Sequence, residues 1–361
     1  MSAKQFARAY HAGNFIEAEK LANALVQRDR RDAMAWQGLG AARLNQKRPT
    51  EALPALETSL EHDTDNAQTR YLLGKCHLAL KNWRAATTHL KEAARLRPDH
   101  LHTQVQLAEV WQTLNDHNAA VACIDRAWEL DNTNADVLYR RIKIRSRARQ
   151  MSGLLADCRH LITLTHDNPD YHNLVGTTYN DQGHFQQAEH HYSEALRLYP
   201  QHAVAFSNRI FNAHYNPALS REDILELVLQ WRETFQPRPR PARPGGTDRD
   251  ETRPLTVGLL SSGLRSHPVG QMITAALEHL PADDFRLVAY ATSNTEDHIS
   301  ARLRRITHRW HSVATTRRDS LNTLIRDDQV DILIDLNGHT DGNRLRLLAD
   351  EPAPLLIYKL S

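Results

Sequence analysis

The sequence predicts an all-α helical repeat array followed by one α/β lobe. Small residues recur every 34 positions over roughly the first 200 residues, which indicates stacked helix pairs. Short apolar, β-branched runs alternate with helical stretches over roughly the last 100 residues, which indicates a parallel sheet with helices on its faces. A chain of 361 residues is also too long for one ordinary core. We therefore expect separate domains.

The helical repeat is visible in three registers of one period. Small residues in these registers let two antiparallel helices approach closely, and larger side chains fill the groove between the helices. The registers are Gly40, Gly74, Ala108, Ile142 and Gly176; Ala52, Ala86, Ala120, Leu154 and Ala188; and Ser59, Ala93, Ala127, Leu161 and Ala195. The predicted groove-filling residues are Leu56, Leu90, Ile124 and Tyr192. This pattern resembles the tetratricopeptide repeat.

About six repeats are expected over residues 1–205, because an earlier, degenerate unit contains Gly13, Asn14, Phe15 and Ala18 in register. The weakest repeat is "VLYRRIKIRSRARQMSGLLADCRHLI", which has large residues where small ones belong. Stacked helix pairs form a superhelix with a long groove, which suits extended protein or peptide partners. A spacer or a dimerisation surface is the alternative interpretation of the array.

Residues 206–236 are predicted to form transition helices, and 237–253 a linker. Ser220 is a candidate N-cap, with Asp223 three residues on, for a helix from about Arg221 to Phe235. The segment "QPRPRPARPGGTDRDETRP" is rich in proline, arginine and glycine, and such a segment cannot bury enough apolar area to become ordered. A nucleic-acid or SH3-type ligand is a weaker interpretation of its Arg-Pro alternation.

The lobe at 254–361 is predicted to hold five strands. The clearest are "LTVGLLS", "FRLVAYA" and "DILIDL", and "WHSV" and "PLLIYKL" are weaker. We expect the doubly wound, Rossmann-like order 3-2-1-4-5, in which strands one and four are neighbours. Ligands bind such sheets in the crevice at the carboxyl ends of these two strands.

Polar loops follow both central strands, so we expect them to face the same crevice. "SSGLRSHPVG" follows strand one, and "DLNGHT" follows strand four. His267 is the candidate catalytic group because imidazole exchanges a proton near neutral pH. Capping of the following helix is the alternative role for His267. The candidate substrate-binding residues are Ser261, Ser262 and Arg265 on the first loop, and Asn337, Gly338, His339 and Thr340 on the second.

The composition offers no general attraction to nucleic acid or membranes, since 45 Lys and Arg balance 43 Asp and Glu at a net charge of +2. No stretch approaches the ~18 apolar residues of a spanning helix, and no signal peptide is evident, so a cytoplasmic location is expected. Three cysteines fit free thiols in a reducing compartment. His308 and His311, on a possible helix, lack a third ligand, so no metal site is predicted. No GxGxxG or GxxxxGK motif supports dinucleotide or ATP binding.

Taken with the repeats, "SNRIFNAHYNPALSREDI", "VGLLSSGLRSHPVG" and "DILIDLNGHTDGNRLRLLADEPAP" resemble the O-GlcNAc transferase family, in particular its bacterial members. The resemblance implies repeats joined to a two-lobed GT-B glycosyltransferase, of which this chain holds the first lobe. It implies transfer of N-acetylglucosamine from UDP-GlcNAc to serine or threonine of proteins, with no metal or other cofactor. It also implies that His267 is the histidine of the family's "HP" motif, proposed as a base. Asn337, Gly338, Thr340 and Arg344 match the "NGxTxxxR" run that lines the cleft.

Several departures from the family pattern leave alternatives open. Glu351 stands where the family has arginine, and the "LGYPGT" motif and the donor-binding lobe are expected to be missing after "LLIYKLS". The register of the family's groove asparagines holds Gly38, Leu72, Gln106, Arg140 and Leu174. A non-catalytic scaffold that binds protein partners is therefore the alternative function. The expected partners are protein acceptors in the repeat groove and a separate C-terminal lobe. Because related SPINDLY proteins use GDP-fucose, the donor is not fixed.

Overall fold

The computed structural model describes residues 2–235, 253–340 and 342–358. The chain forms two compact units, Met1–His166 and Asp167–Ser361. Residues 237–252 of the predicted linker lie outside the described residues, as do the last three residues of the chain.

The first unit consists of helices that pack against their neighbours in chain order. These are α1 (Ala3–His11), α2 (Phe15–Arg28), α3 (Ala33–Asn45), α4 (Pro49–His62), α5 (Ala67–Ala79), α6 (Trp83–Leu96), α7 (Leu101–Thr113), α8 (His117–Leu130), α9 (Ala135–Arg147) and α10 (Leu154–Leu164). With the next two helices they make six pairs, as the repeat pattern predicts.

Close helix approach at the small residues is confirmed. A methyl group added at Gly40 would lie 2.5 Å from Cγ of Leu56, and one added at Gly74 would lie 2.5 Å from Cγ of Leu90. Leu56 and Leu90 are fully buried, as are the equivalent residues of later repeats. The 34-residue period therefore marks the positions at which the backbone of one helix lies in contact with a side chain of its paired helix.

The turn inside each helix pair has a residue with positive φ at the same position of the repeat. Such a backbone conformation costs a non-glycine residue roughly 1 kcal/mol and costs glycine little. The six residues, again 34 apart, are Gly13 (74°), Lys47 (61°), Lys81 (59°), Asn115 (60°), Arg149 (55°) and Gly183 (78°). Four of the six turns therefore adopt this conformation without the residue that favours it.

The fifth helix pair departs from the period, at the repeat predicted to be weakest. Helices α2, α4, α6 and α8 begin exactly one period apart, so the next should begin at Met151. Helix α10 instead begins three residues later, at Leu154, after a turn that includes Gly153 with φ of 73°. Ile142 and Leu154 are both fully buried there. The longer turn accompanies large side chains at positions that are small elsewhere.

The second unit begins with four helices and continues into the α/β lobe. The helices are α11 (Pro169–Asp181), α12 (Phe185–Leu198), α13 (Ala203–Ala213) and α14 (Arg221–Thr234). The lobe contains β1 (Leu255–Ser261), α15 (Pro268–Leu277), β2 (Phe285–Ala291), α16 (His298–Ile306), β3 (Arg309–Ser312), α17 (Arg318–Asp327), β4 (Ile332–Asp335), α18 (Leu345–Leu348) and β5 (Leu355–Tyr358). Ser220 and Asp223 form the predicted capping box of α14.

The five strands are parallel and lie in the order β3-β2-β1-β4-β5, which confirms the predicted order. Leu260 on β1 pairs with Asp335 on β4, so these two strands end side by side. The weaker predicted strand "WHSV" corresponds to β3, which contains His311, so the possible helix considered for His308 and His311 does not form. Pairing of His311 with Tyr290 on β2 accounts for the extended conformation.

The lobe shares its core with the preceding helices. One face of the sheet packs Tyr290 and Leu333 against α17 and α18, and Trp231 of α14 contacts this core. Trp231 also packs with Phe206 of α13 in the core of the joint. The last helices before the lobe are therefore part of its structural support.

We predict that Lys81→Gly stabilises the protein by about 0.5–1 kcal/mol, because glycine removes the cost of a positive φ without loss of a buried contact. The matched change Gly183→Lys introduces that cost and lowers stability by a similar amount. Chemical denaturation with unfolding followed by circular dichroism measures both. If both variants raised stability, or both lowered it, the cost assigned to positive φ in these turns would be contradicted.

Candidate functional site

The loops after β1 and β4 meet, as predicted, through the side chain of Asn337. The Ser261 hydroxyl donates a hydrogen bond to Asn337 Oδ1 at 2.6 Å, and the Ser262 backbone N–H donates to the same oxygen at 3.1 Å. Asn337 Nδ2 donates to Ser262 Oγ at 3.1 Å. Ser261 and Asn337 are buried, so these bonds are shielded from water. One amide thus fixes the loops to each other.

The loop after β4 is organised by Asp335, the last residue of that strand. Asp335 Oδ2 accepts a hydrogen bond from the Gly338 backbone N–H at 2.8 Å, and Gly338 takes a φ of 57°, which glycine adopts without strain. The Thr340 hydroxyl donates to the Asn337 carbonyl at 2.7 Å. Gly338 and Thr340 therefore shape the turn that presents Asn337.

The Asp335 carboxylate is almost completely buried, with 1% of its surface exposed. Burial raises its pKa to about 6, although the backbone N–H groups of Gly338 and Asn337 favour the charged form. Among the described residues its Oδ1 has no hydrogen-bond partner. Ionising the buried Asp335 carboxyl therefore costs free energy, and its protonation state changes the stability of the loop after β4.

The loop after β1 holds its own side chains close to its backbone. The Gly263 N–H donates to Ser261 Oγ at 2.9 Å, and Arg265 Nε donates to the Ser262 carbonyl at 3.3 Å. Asp297, at the start of α16, accepts the Ser266 N–H at 2.6 Å. Arg265 therefore braces this loop.

His267 is the N-cap of α15, which is the alternative role considered from the sequence. Its Nδ1 accepts the Val269 backbone N–H at 3.3 Å, and the side chain is exposed. When Nδ1 accepts this bond, the neutral imidazole carries its proton on Nε2. The exposed nitrogen is then a hydrogen-bond donor. In this conformation the ring can orient or stabilise an oxygen, and proton removal by Nε2 requires the other tautomer.

His339 lies apart from the crevice where it was expected. Its ring is 8% exposed, its Nδ1 lies 3.1 Å from Ser207 Oγ on α13, and it packs edge-on against Trp231 of α14. Burial, and less strongly the charge of His214, lowers its pKa to about 4. A neutral His339 therefore joins the loop after β4 to the helices before the lobe. Its position next to Gly338 gave no indication of which way the side chain points.

Arg344 also supports the loop. Its Nη2 donates to the carbonyls of Ala314 at 2.7 Å and Val313 at 3.1 Å, which fixes the segment after β3. Arg344 remains half-buried at the edge of a cavity.

This cavity has a volume of about 690 Å³ and lies between α11, α13 and α14 on one side and the lobe on the other. Its helical side is formed by Thr177, Ala203, Val204, Ser207, Asn208 and Trp231. Its lobe side is formed by Arg318, Asp319, Leu321, His339, Thr340, Gly342, Asn343, Arg344, Leu345, Arg346 and Leu347. The loop after β4 thus contributes to both the β1–β4 junction and this cavity.

Asn208 is a cavity residue that the sequence interpretation missed. Its Nδ2 donates to Asn173 Oδ1 at 2.9 Å and lies 3.4 Å from Thr177 Oγ1. The signal was available, because Asn208 continues the register of Arg140 and Leu174 by one more period.

The remaining predicted features concern cysteines, metal ligands and membrane spans. Cys76, Cys123 and Cys158 form no disulfide. Within residues 2–235, 253–340 and 342–358, no three His, Cys, Asp or Glu side chains are arranged to hold a metal ion. No helix in that part of the chain has the length and apolar character needed to cross a bilayer.

Two family models match the helical part of the chain. One, described as anaphase-promoting complex, cyclosome, subunit 3, matches residues 11–93, and a tetratricopeptide-repeat model matches residues 169–202. Both matches lie within the predicted repeats.

Curated relatives and a solved structure carry the comparison further. A protein of Solanum lycopersicum named probable UDP-N-acetylglucosamine-peptide N-acetylglucosaminyltransferase SPINDLY is 25% identical over 166 residues, 45% of this chain and 18% of that protein. Its namesake from Arabidopsis thaliana is 29% identical over 113 residues, 30% and 12% of the two chains. These matches therefore span less than a fifth of either relative.

The O-GlcNAc transferase of Thermobaculum terrenum, solved as a mutant, has the same fold over much of this chain. The TM-score is 0.63 at 24% identity, and the match covers 72% of this chain and 50% of that one.

We predict that Asp335→Asn changes the pH dependence of stability. The raised pKa means that the folded protein binds the Asp335 proton more tightly than the unfolded chain does. Stability from this group is therefore greatest below about pH 4 and is lost as pH rises toward 6–7, by up to about 3 kcal/mol. Asparagine does not titrate, so the stability difference, variant minus wild type, should rise across this range.

The measurement is the free energy of unfolding of both proteins at several pH values. Taking the difference cancels other titrating groups, among them His339, whose lowered pKa acts in the opposite direction. If the difference in unfolding free energy stayed constant between pH 4 and 7, the pKa of Asp335 would not be raised in the folded protein.

Proposed function

We propose that this O-GlcNAc transferase-like protein with tetratricopeptide repeats provides the acceptor side of a protein O-linked glycosyltransferase. The reaction is transfer of N-acetylglucosamine from UDP-GlcNAc to serine or threonine, as the names of its relatives suggest. The observation that supports this most is the hydrogen-bonded junction of Ser261 and Ser262 with Asn337, at the ends of the two central strands. The exposed His267 follows the two serines on the same loop. The parallel lobe would be the Rossmann-like first half of a GT-B enzyme.

The chemistry asks two things of such a site. The acceptor hydroxyl loses a proton as it attacks the anomeric carbon, and the diphosphate leaves as an anion. In this proposal the exposed His267 Nε2 would donate a hydrogen bond to an acceptor or donor oxygen. Action as the base would require the ring to release the Val269 N–H, because the capped tautomer already carries a proton on Nε2.

An acceptor segment would lie along the repeat helices and reach the lobe through the cavity. The amide and hydroxyl groups of Asn208 and Thr177 face this cavity and can pair with a peptide backbone. Thr340 and Arg344 lie opposite, on the loop that also carries Asn337. The cavity and the candidate catalytic junction thus share the loop after β4.

In the proposed domain organisation, the chain consists of repeats at 1–205, transition helices at 206–236, a linker at 237–253 and the catalytic lobe at 254–361. We place the protein in the cytoplasm, because its three cysteines form no disulfide. A second lobe of the enzyme would bind the sugar nucleotide, and its chemistry would decide between UDP-GlcNAc and GDP-fucose.

A non-catalytic scaffold is the second candidate function. The capping bond of His267 favours it, because a histidine that serves only to begin a helix needs no substrate. In that case the repeats would bind protein partners and the lobe would add binding surface.

We predict that His267→Asn lowers sugar transfer by at least about 100-fold while the unfolding midpoint stays unchanged. Asparagine caps helices well, so the variant removes the imidazole and keeps the N-cap. Transfer is measured with the chain together with its donor-binding lobe, radiolabelled UDP-GlcNAc and a candidate acceptor protein, and GDP-fucose is tested in parallel.

His279→Asn is the matched control, since His279 is exposed just after the same helix. Equal rates for wild type and His267→Asn would remove His267 from the reaction. Absence of transfer by wild type in the presence of the donor-binding lobe, with acceptor binding intact, would favour the scaffold.

A further inference from the structure

The lobe side of the cavity carries three arginines and one aspartate, whereas the helical side is neutral. Arg318, Asp319, Arg344 and Arg346 line the lobe side, and the uncharged groups of α11 and α13 line the helical side. Arg318 is neutralised, because it forms a two-pronged ion pair with Asp350. The positive charges of Arg344 and Arg346 therefore outnumber the single negative charge of Asp319 on this wall.

Arg344 and Arg346 are held in place by uncharged partners. Arg344 donates to two backbone carbonyls, and the Arg346 guanidinium lies over the ring of Phe235, 5.2 Å from its centroid. Among the described residues, neither forms an ion pair with a carboxylate. A cation positioned by carbonyls or an aromatic ring keeps its charge available to a third group.

Some arginines elsewhere in the chain are neutralised by carboxylates. Arg209 pairs with Glu189 at 2.7 Å, and Arg302 pairs with Glu278 at 2.6 Å. What distinguishes Arg344 and Arg346 is that two arginines without such a pair lie together on the wall of one cavity.

We propose that Arg344 and Arg346 select acceptor segments that carry an acidic side chain close to the residue that binds at the β1–β4 junction. This inference rests on the proposed function, because it assigns the cavity to the acceptor. Guanidinium groups bind carboxylates through paired N–H donors. On the helical side, the Asn208 amide and the Thr177 hydroxyl would hydrogen-bond the peptide backbone. A basic acceptor segment would be repelled by the same wall.

The test compares two fluorescein-labelled peptides of equal length that contain one serine. One has aspartate and glutamate around the serine, and the other has asparagine and glutamine. Fluorescence anisotropy with the whole chain and no sugar nucleotide gives the two dissociation constants. We expect the acidic peptide to bind roughly tenfold more tightly at low salt, as two partly exposed charge pairs allow, and the preference to shrink as salt increases.

Arg346→Gln should reduce the preference about threefold, and Arg346→Lys should retain most of it. Arg346 is exposed, so these changes leave the fold intact. Arg286→Gln on β2 is the control, because Arg286 is exposed and outside the cavity lining. Equal affinities for the two peptides, an unchanged preference in Arg346→Gln, or an equal loss in the control would overturn the inference.

Binding and transfer are measured separately, so the two proposals can fail independently. An acidic preference without sugar transfer would retain the selective cavity and remove the enzymatic role. Sugar transfer without a preference for the acidic peptide would retain the enzymatic role and remove the selective cavity.

Discussion

The candidate site depends on one constraint, the adjacency of β1 and β4 at the centre of a parallel sheet. Two strands that run in the same direction and end together bring their following loops to one edge. Asn337 then makes the contact specific, because its amide both accepts from and donates to the serines after β1. The loop after β4 reaches the helices before the lobe as well, through His339. A single short loop thereby determines the geometry of the junction and one wall of the cavity.

The repeat array obeys a constraint of a different kind. Its helices approach closely because a residue without a large side chain stands opposite a leucine or tyrosine, as at Gly74 and Leu90. The same spacing reappears in backbone conformation, with a positive φ at the same repeat position of every turn between paired helices. Side-chain size and backbone angle therefore repeat together, which is what permits one helix pair to follow another at constant length.

Much of this could be predicted because it depends on periodicity. The 34-residue spacing gave the helix pairs, the β-branched runs gave the five strands, and their order placed Ser261 beside Asn337. Features that depend on one side chain's direction were less accessible. His339 turns toward Ser207, a contact between residues 132 apart in sequence that no local pattern reports. Lys47 and Lys81 adopt a conformation that their residue type disfavours, so propensity gives no signal for it.

Trp231 belongs to two cores at once, that of the joint and that of the sheet. A truncation that begins at the first strand would remove it together with α13 and α14. It would leave the apolar surface of α18 and the ring of His339 open to water. Recombinant fragments intended to isolate the lobe should therefore start upstream of α11, where the second compact unit begins. In this molecule the boundary suggested by sequence composition and the boundary of the compact unit that holds the lobe are therefore different places.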